Sequence, residues 1–153
     1  MNKALMIFGV AGILTYSTPT MPTKAIDSDI QTTYTNDVQS RTAGLIYRYA
    51  LSVSTSNGNL IMNGKTSSND IMKSIGYTEI KIQYSSDGSN WHTEKQLSDL
   101  LKSSTSEYIL SNYSASVQGG YFYRVTCKHY AKESGLFGNS QSISNTSNSV
   151  WID

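Results

Sequence analysis

The sequence predicts an all-β chain: an antiparallel, immunoglobulin-like β-sandwich of about seven short strands behind an N-terminal signal peptide. Three observations predict it. Apolar residues recur at every second position in several runs, and clusters of Gly, Asn, Asp and Ser separate those runs. Tyr occurs 11 times, and no proline follows Pro22. Aromatic and β-branched side chains suit a pleated, half-buried surface, and a strand without proline donates its full ladder of N–H groups.

The first 25 residues read as an export signal. Met1-Asn2-Lys3 is a short positive start, Ala4 to Leu14 is an uncharged apolar run, and Thr23-Lys24-Ala25 puts small residues three and one before a cut. The apolar run is shorter than the roughly 20 residues a membrane-spanning helix needs. Residues 26–43 are polar and without periodicity, and are expected to form a flexible arm. Residues 44–153 are expected to form the β-domain. The sequence ends in Val150-Trp151-Ile152-Asp153 without an apolar tail, so release from the cell is the expected fate.

Within that domain, Leu45, Tyr47, Tyr49, Leu51 and Val53 are spaced by two, and Asn57-Gly58 follows as a hairpin signal, since both residues tolerate positive φ. Leu60-Ile61-Met62 reads as a second short strand, ending at Asn63-Gly64. Ser68-Asn69-Asp70 is a possible cap for one helical turn through Met72. Ile80, Ile82 and Tyr84 alternate with Glu79, Lys81 and Gln83, the pattern of a strand buried on one side. Ser85 to Asn90 reads as a turn, and Trp91 opens the returning strand. Leu97, Leu100 and Leu101 have helical spacing. In the extended run from Tyr108 to Val117, apolar parity shifts between Leu110 and Tyr113, which predicts a bulge. After Gly119-Gly120, Tyr121, Tyr123, Val125 and Cys127 face one way, and Phe122, Arg124, Thr126, Lys128 and Tyr130 face the other. Glu133 to Asn148 reads as a polar loop, and Ser149 to Ile152 as a closing strand. Hairpin-length connections leave no room for crossover helices, so the strands are expected to be antiparallel.

Two stretches carry a family likeness. Ile80 to Trp91 (IKIQYSSDGSNW) resembles the central hairpin of fibronectin type III and related sandwiches. Gly120-Tyr121-Phe122-Tyr123-Arg124-Val125, with His129 and a terminal apolar strand, is similar to a family of small secreted proteins of uncharacterised function from Gram-positive bacteria. The likeness covers the chain from about Gly44 onward. It implies secretion and a sandwich, and it implies no activity.

Composition narrows the function classes. The formal charge is +1. Without Lys3 and Lys24 the rest is about −1, too little positive charge for a nucleic-acid binder, which needs a basic stripe to displace counterions. No polybasic patch for anionic lipid is visible either. Cys127 is the only cysteine, so no internal disulfide and no cysteine zinc cluster is expected, and the thiol reads as a small buried hydrophobe. His92 and His129 are the only histidines and read as surface residues, with no acid placed beside either. No two carboxylates are paired by a motif, as glycoside hydrolysis would need. Asp87-Gly88-Ser89-Asn90 lacks the repeated acids and distal glutamate of a calcium loop and reads as a turn. No catalytic residue, metal or cofactor is therefore expected.

The aromatics are the more informative group. Trp91, Phe122, Tyr130 and Trp151 are the candidate ligand-binding residues, because flat exposed rings stack on sugars or anchor protein partners. Trp91 also fits a buried hairpin position, where a core role is the more usual one. If Phe122 lies beside Tyr130, the two make an apolar stripe. The expected function is that of a secreted, extracellular binding or interaction module for a glycan or a protein. The alternatives are a bacteriocin-like effector acting on other cells and, less favoured, a small extracellular hydrolase. Oligomeric state stays open, since an unpaired edge strand can extend a sheet into another copy.

Overall fold

The computed structural model describes residues 44–153. The expected leader and arm, residues 1–25 and 26–43, lie outside the described residues. The described chain is all-β, with nine antiparallel strands: β1 (Ile46–Ser56), β2 (Asn59–Met72), β3 (Ser74–Ser85), β4 (His92–Gln96), β5 (Leu100–Lys102), β6 (Thr105–Ser116), β7 (Tyr121–Lys132), β8 (Ser140–Thr146) and β9 (Val150–Ile152). They form a small sheet, β1-β2-β6, and a large sheet, β4-β3-β7-β8, with β5 also on β3 and β9 also on β7. Nine strands therefore follow seven paths. β4 and β5 share one flank of β3, and β8 and β9 share one flank of β7. At the break between β8 and β9, Ser147 still pairs with Val125: its N–H donates to the Val125 carbonyl (2.9 Å), and its hydroxyl accepts from the Val125 N–H (2.9 Å).

The inner faces of both sheets close over one apolar interior. Val53, Leu60, Met62, Leu110 and Ala115 come from the small sheet, and Tyr77, Ile80, Ile82, Tyr123, Val125, Cys127 and Ile152 from the large one. A second cluster at the other end joins Ile46, Met72, Ile75 and Ala131. Each large side chain buried here contributes about 1.5–3 kcal/mol relative to remaining in water. Cys127 sits in the main interior as expected, and burial pushes its thiol up to about 12. A disulfide-forming reagent at mildly alkaline pH is expected to leave Cys127 unmodified in the native chain and to label it fully in denaturant. Rapid labelling of the native chain would contradict this packing.

Three of the register shifts decide which residues of β1, β3 and β6 point inward. The register of β1 against β2 jumps between Ile46 and Arg48, so Tyr47 is squeezed out to 43% exposure rather than joining Tyr49, Leu51 and Val53. In β3 the register against β7 shifts between Thr78 and Lys81, and Glu79 adopts φ 51. Inward positions thus change from Ile75 and Tyr77 to Ile80 and Ile82. The bulge expected between Leu110 and Tyr113 is present: Ser111 and Asn112 face the single residue Asn63, Asn112 has φ 52, and its N–H donates to Asn63 Oδ1 at 2.8 Å.

The Asn57-Gly58 hairpin forms with both residues at positive φ. Several other expectations are corrected. Asn63-Gly64 does not end the second strand; β2 continues to Met72. A Cβ on Gly64 would lie 2.5 Å from the Tyr77 hydroxyl and 2.8 Å from the Ala50 carbonyl oxygen, so this glycine serves a close approach and not a turn. Ser68 to Met72 is strand rather than a helical turn, because one turn is too short to offset its nucleation cost while Met72 is paired with Thr105 and buried. Leu97 stands in a loop and Leu100-Leu101 in β5, again without helix. The stretch read as a polar loop, Glu133 to Asn148, contains β8.

His129 is the main correction. It is fully buried, not on the surface. It continues the inward alternation of β7 and lies between the rings of Tyr49 and Tyr77, each 5.0 Å away. Its hydrogen bonds fix one neutral tautomer. Asn145 Oδ1 already accepts from the Thr146 N–H, so Asn145 Nδ2 donates to His129 Nε2 at 3.1 Å. Nδ1–H then donates to Thr66 Oγ1 at 2.7 Å, and the Thr66 hydroxyl donates to the Gly76 carbonyl at 3.3 Å. Thr66 belongs to the small sheet and His129 to the large one, so this relay ties the two sheets through the interior. The open side between β1 and the β8–β9 path is laced by amide side chains. Gln141 Oε1 accepts from the Ile46 N–H (2.8 Å), and Asn148 both accepts from and donates to the Val53 backbone (2.9 Å each).

Candidate functional site

Two places on the large sheet gather aromatic side chains, one on its outer face and one at the open end of the interior. On the outer face, Phe122 stands opposite Trp151 in register, and the rings meet edge to face with centroids 4.9 Å apart. Trp151 is 41% exposed, and its Nε1–H donates to Asp153 Oδ1 at 2.8 Å. Two residues along β7, the Arg124 guanidinium lies over the Trp91 ring, 4.2 Å from its centroid, while Arg124 Nε donates to Gln83 Oε1 at 2.8 Å. Trp91 is half-buried beneath this cation and is not in the core, contrary to the more usual role for a hairpin tryptophan. Stacking the apolar ring under an already charged, planar group covers it without removing the guanidinium from water.

Phe122, Trp151 and Trp91 thus share one strip. Tyr130 does not join it. It lies on the same face of β7 but eight residues further on, about 26 Å away at the rise of an extended strand, opposite Gly76 and Ser142. The Phe122–Tyr130 stripe does not exist.

At the open end of the interior, Tyr84, Thr93, Glu94, Gln118, Tyr121 and Tyr123 line a cleft of ≈ 350 Å³. β3 and β7 put Tyr84 and Tyr121 there by alternation, since they follow Ile82 and precede Tyr123 on the inner face. Unlike those two they are half-buried. Their rings meet edge to face, with centroids 5.2 Å apart and planes at 74°. Tyr84 also packs on the exposed His92 ring, 5.5 Å away. Tyr123 forms the floor and donates its hydroxyl proton to the Gln118 carbonyl at 2.8 Å. Burial, together with the neighbouring Glu94 carboxylate, pushes the Tyr123 phenol up to about 12, so it stays a neutral donor. Glu94 reaches this position because it is the extra residue of a bulge, where β4 passes from Lys95 opposite Ile82 to Thr93 opposite Gln83. A bulge re-aims the side chain that carries it.

The cleft therefore combines two adjacent aromatic rings with one carboxylate, one amide side chain and hydroxyl groups. Rings of this kind cover the C–H faces of a sugar, and the polar groups reach its hydroxyls. None of its lining residues is among the candidate ligand-binding residues Trp91, Phe122, Tyr130 and Trp151. Alternation makes Tyr84, Tyr121 and Tyr123 inward-facing and hence core. The one available signal was that Tyr121 is the first strand residue after Gly119-Gly120, where an inward side chain lies at the end of the layer. No family model, curated protein or solved structure matches the chain.

Proposed function

We propose that this chain is an exported binding module whose β-domain recognises glycans through the Tyr84–Tyr121 cleft. The export signal read in residues 1–25 supports action outside the cell. Assigned in chain order, β1, β2, β3, β4, β6, β7 and β8 take the places A, B, C, C′, E, F and G of an immunoglobulin-like sandwich, with A-B-E facing C′-C-F-G. The division of strands favours that reading, and with it the expected likeness to fibronectin type III.

One observation carries the glycan assignment: two half-buried tyrosine rings, 5.2 Å apart, line a cleft beside the carboxylate of a bulged Glu94. Among the described residues Glu94 is the only charged one lining the cleft, so neutral and amino sugars are favoured over acidic ones. With a single carboxylate in the lining, the cleft suits binding better than two-carboxylate hydrolysis. A screen of immobilised neutral and N-acetylhexosamine oligosaccharides tests this. Tyr121→Ala and Glu94→Gln are each expected to weaken capture by about tenfold or more, as for central residues of a small site. Phe122→Ser, on the outer face, is expected to leave it unchanged. Equal capture by all four proteins, or none by the folded parent, would overturn the assignment.

The outer strip supports a second reading, a protein partner. The exposed Trp151 held against Phe122 has the composition of an interface anchor.

A further inference from the structure

The loop between β7 and β8 presents two adjacent bulky apolar side chains to water. Leu136 is 92% exposed and Phe137 91%. The loop is built to do so. The Glu133 N–H donates to the Asn139 carbonyl (2.9 Å), and Asn139 N and Nδ2 donate to Glu133 Oε2 (3.0 and 3.1 Å). Inside that clasp the Gly138 N–H donates to the Gly135 carbonyl (3.4 Å), leaving Leu136 and Phe137 at the tip.

Three lysines, far apart in sequence, meet at the same end of the domain. Lys132 is at the base of the loop and opposite Ser74 on β3. Lys73 is the single residue joining β2 to β3. Lys102 is opposite Ile75 on the other flank of β3. None of the three is in an ion pair among the described residues. Ile71, 70% exposed, precedes Lys73. The acids near this end are Asp70, Glu107 and Glu133; Glu107 is paired with Lys65, and the Glu133 carboxylate is engaged by Asn139. The basic cluster that no linear run contains is thus assembled by strand register.

We propose that this end docks on an anionic phospholipid bilayer, with Leu136 and Phe137 entering the boundary between headgroups and acyl chains and Lys73, Lys102 and Lys132 meeting lipid phosphates. An exposed apolar tip ringed by unpaired cations matches such an interface, where burial of apolar area and attraction to anionic headgroups act together. The clasped loop stands outside the layer of strands, so the tip can enter lipid without any strand losing a backbone hydrogen bond. The geometry has a useful consequence: Tyr121 and Lys132 are the two ends of β7, so the glycan cleft would face away from the bilayer.

Residues 4–14 are apolar and would partition into vesicles by themselves, so the test must be local to the loop. Phe137→Trp in the full chain places an indole at the tip, and vesicles of phosphatidylglycerol with brominated phosphatidylcholine quench fluorescence that enters the acyl region. Quenching well beyond that of the parent chain, which has Trp91 and Trp151 only, is the expected result. It should weaken about tenfold in Lys73→Gln/Lys132→Gln and disappear with zwitterionic vesicles. An indole that remains in water with all vesicles overturns the proposal, as does quenching indifferent to lipid charge. Loop-dependent self-association without lipid overturns it too, since the occupant would then be a second copy. Leu136→Ser added to Phe137→Trp, with both substitutions outside every strand, is expected to fold normally and to reduce the quenching by anionic vesicles. Quenching equal to that of Phe137→Trp alone counts against the loop.

Discussion

Gly76→Ala is expected to cost the fold at least about 3 kcal/mol, a large share of the stability of a domain this size. Gly76 lies inside β3 at φ +151, and a Cβ there would overlap the backbone carbonyl of Leu100 on β5. Backbone cannot swing aside as a side-chain end can. Either β5 is pushed off β3, or β3 shifts between Ile75 and Tyr77, both of which are buried. The second shift would also move the Gly76 carbonyl that accepts from Thr66, and with it the inter-sheet relay. Urea unfolding checks this: the midpoint should drop sharply with an unchanged slope. A variant as stable as the parent would mean that β5 is not packed as described.

The second large effect is an acid sensitivity centred on His129. An unfolded imidazole takes up its proton near pH 6.5, whereas burial lowers the native value to about 4. Between those pH values the unfolded chain binds the extra proton and the native chain does not. Native stability is therefore full above the unfolded value, falls as pH drops from about 6.5 to about 4, and levels off below. The whole change is about 3 kcal/mol.

The Tyr49 and Tyr77 rings would attract a cation, but burial outweighs them. Protonation also puts a second N–H against the Asn145 amino group, whose own oxygen is held by Thr146. Rotating that amide would break the Thr146 bond. His129→Phe keeps a ring but has nothing to titrate. It should be less stable at neutral pH, because Thr66 loses its imidazole partner, and its stability should be much flatter across this window. Parallel pH profiles for parent and variant, measured by urea unfolding, would contradict the assignment.

Much of this interior was legible in alternation. The inward set on β7, read as Tyr121, Tyr123, Val125 and Cys127, needed only two more steps to include His129 and Ala131. Asn57-Gly58 announced its hairpin, and the parity break before Tyr113 announced its bulge. What stayed hidden has physical causes. Tyr47 and Glu79 each insert one residue into a ladder, and neither carries a composition signal, so the alternation on either side does not join up. β8 has a single large apolar residue, Ile143, because its positions at Gln141 and Asn145 supply hydrogen bonds across the interior and to the facing sheet edge. It therefore reads as loop.

The cleft was hidden for a different reason. Alternation says which face a side chain takes, and it does not say where the covering sheet stops. Tyr84 and Tyr121 share parity with buried residues and yet lie at the open end. Among the residues named in advance, Phe122 and Trp151 pair because β9 joins β7, a contact no local pattern encodes. Tyr130 shares parity with Phe122, but parity ignores distance along the strand, so the condition that the two lie side by side is not met.

The most direct measurement for the glycan assignment is a backbone amide NMR titration with a soluble N-acetylglucosamine oligosaccharide and, separately, a neutral glucose oligosaccharide. With at least one of them, saturable shifts should centre on Tyr84, Thr93, Glu94, Gln118, Tyr121 and Tyr123, with the Trp151 indole N–H on the outer face unmoved. Shifts on that outer face with the cleft unmoved, or no saturable shift with either sugar, would contradict it.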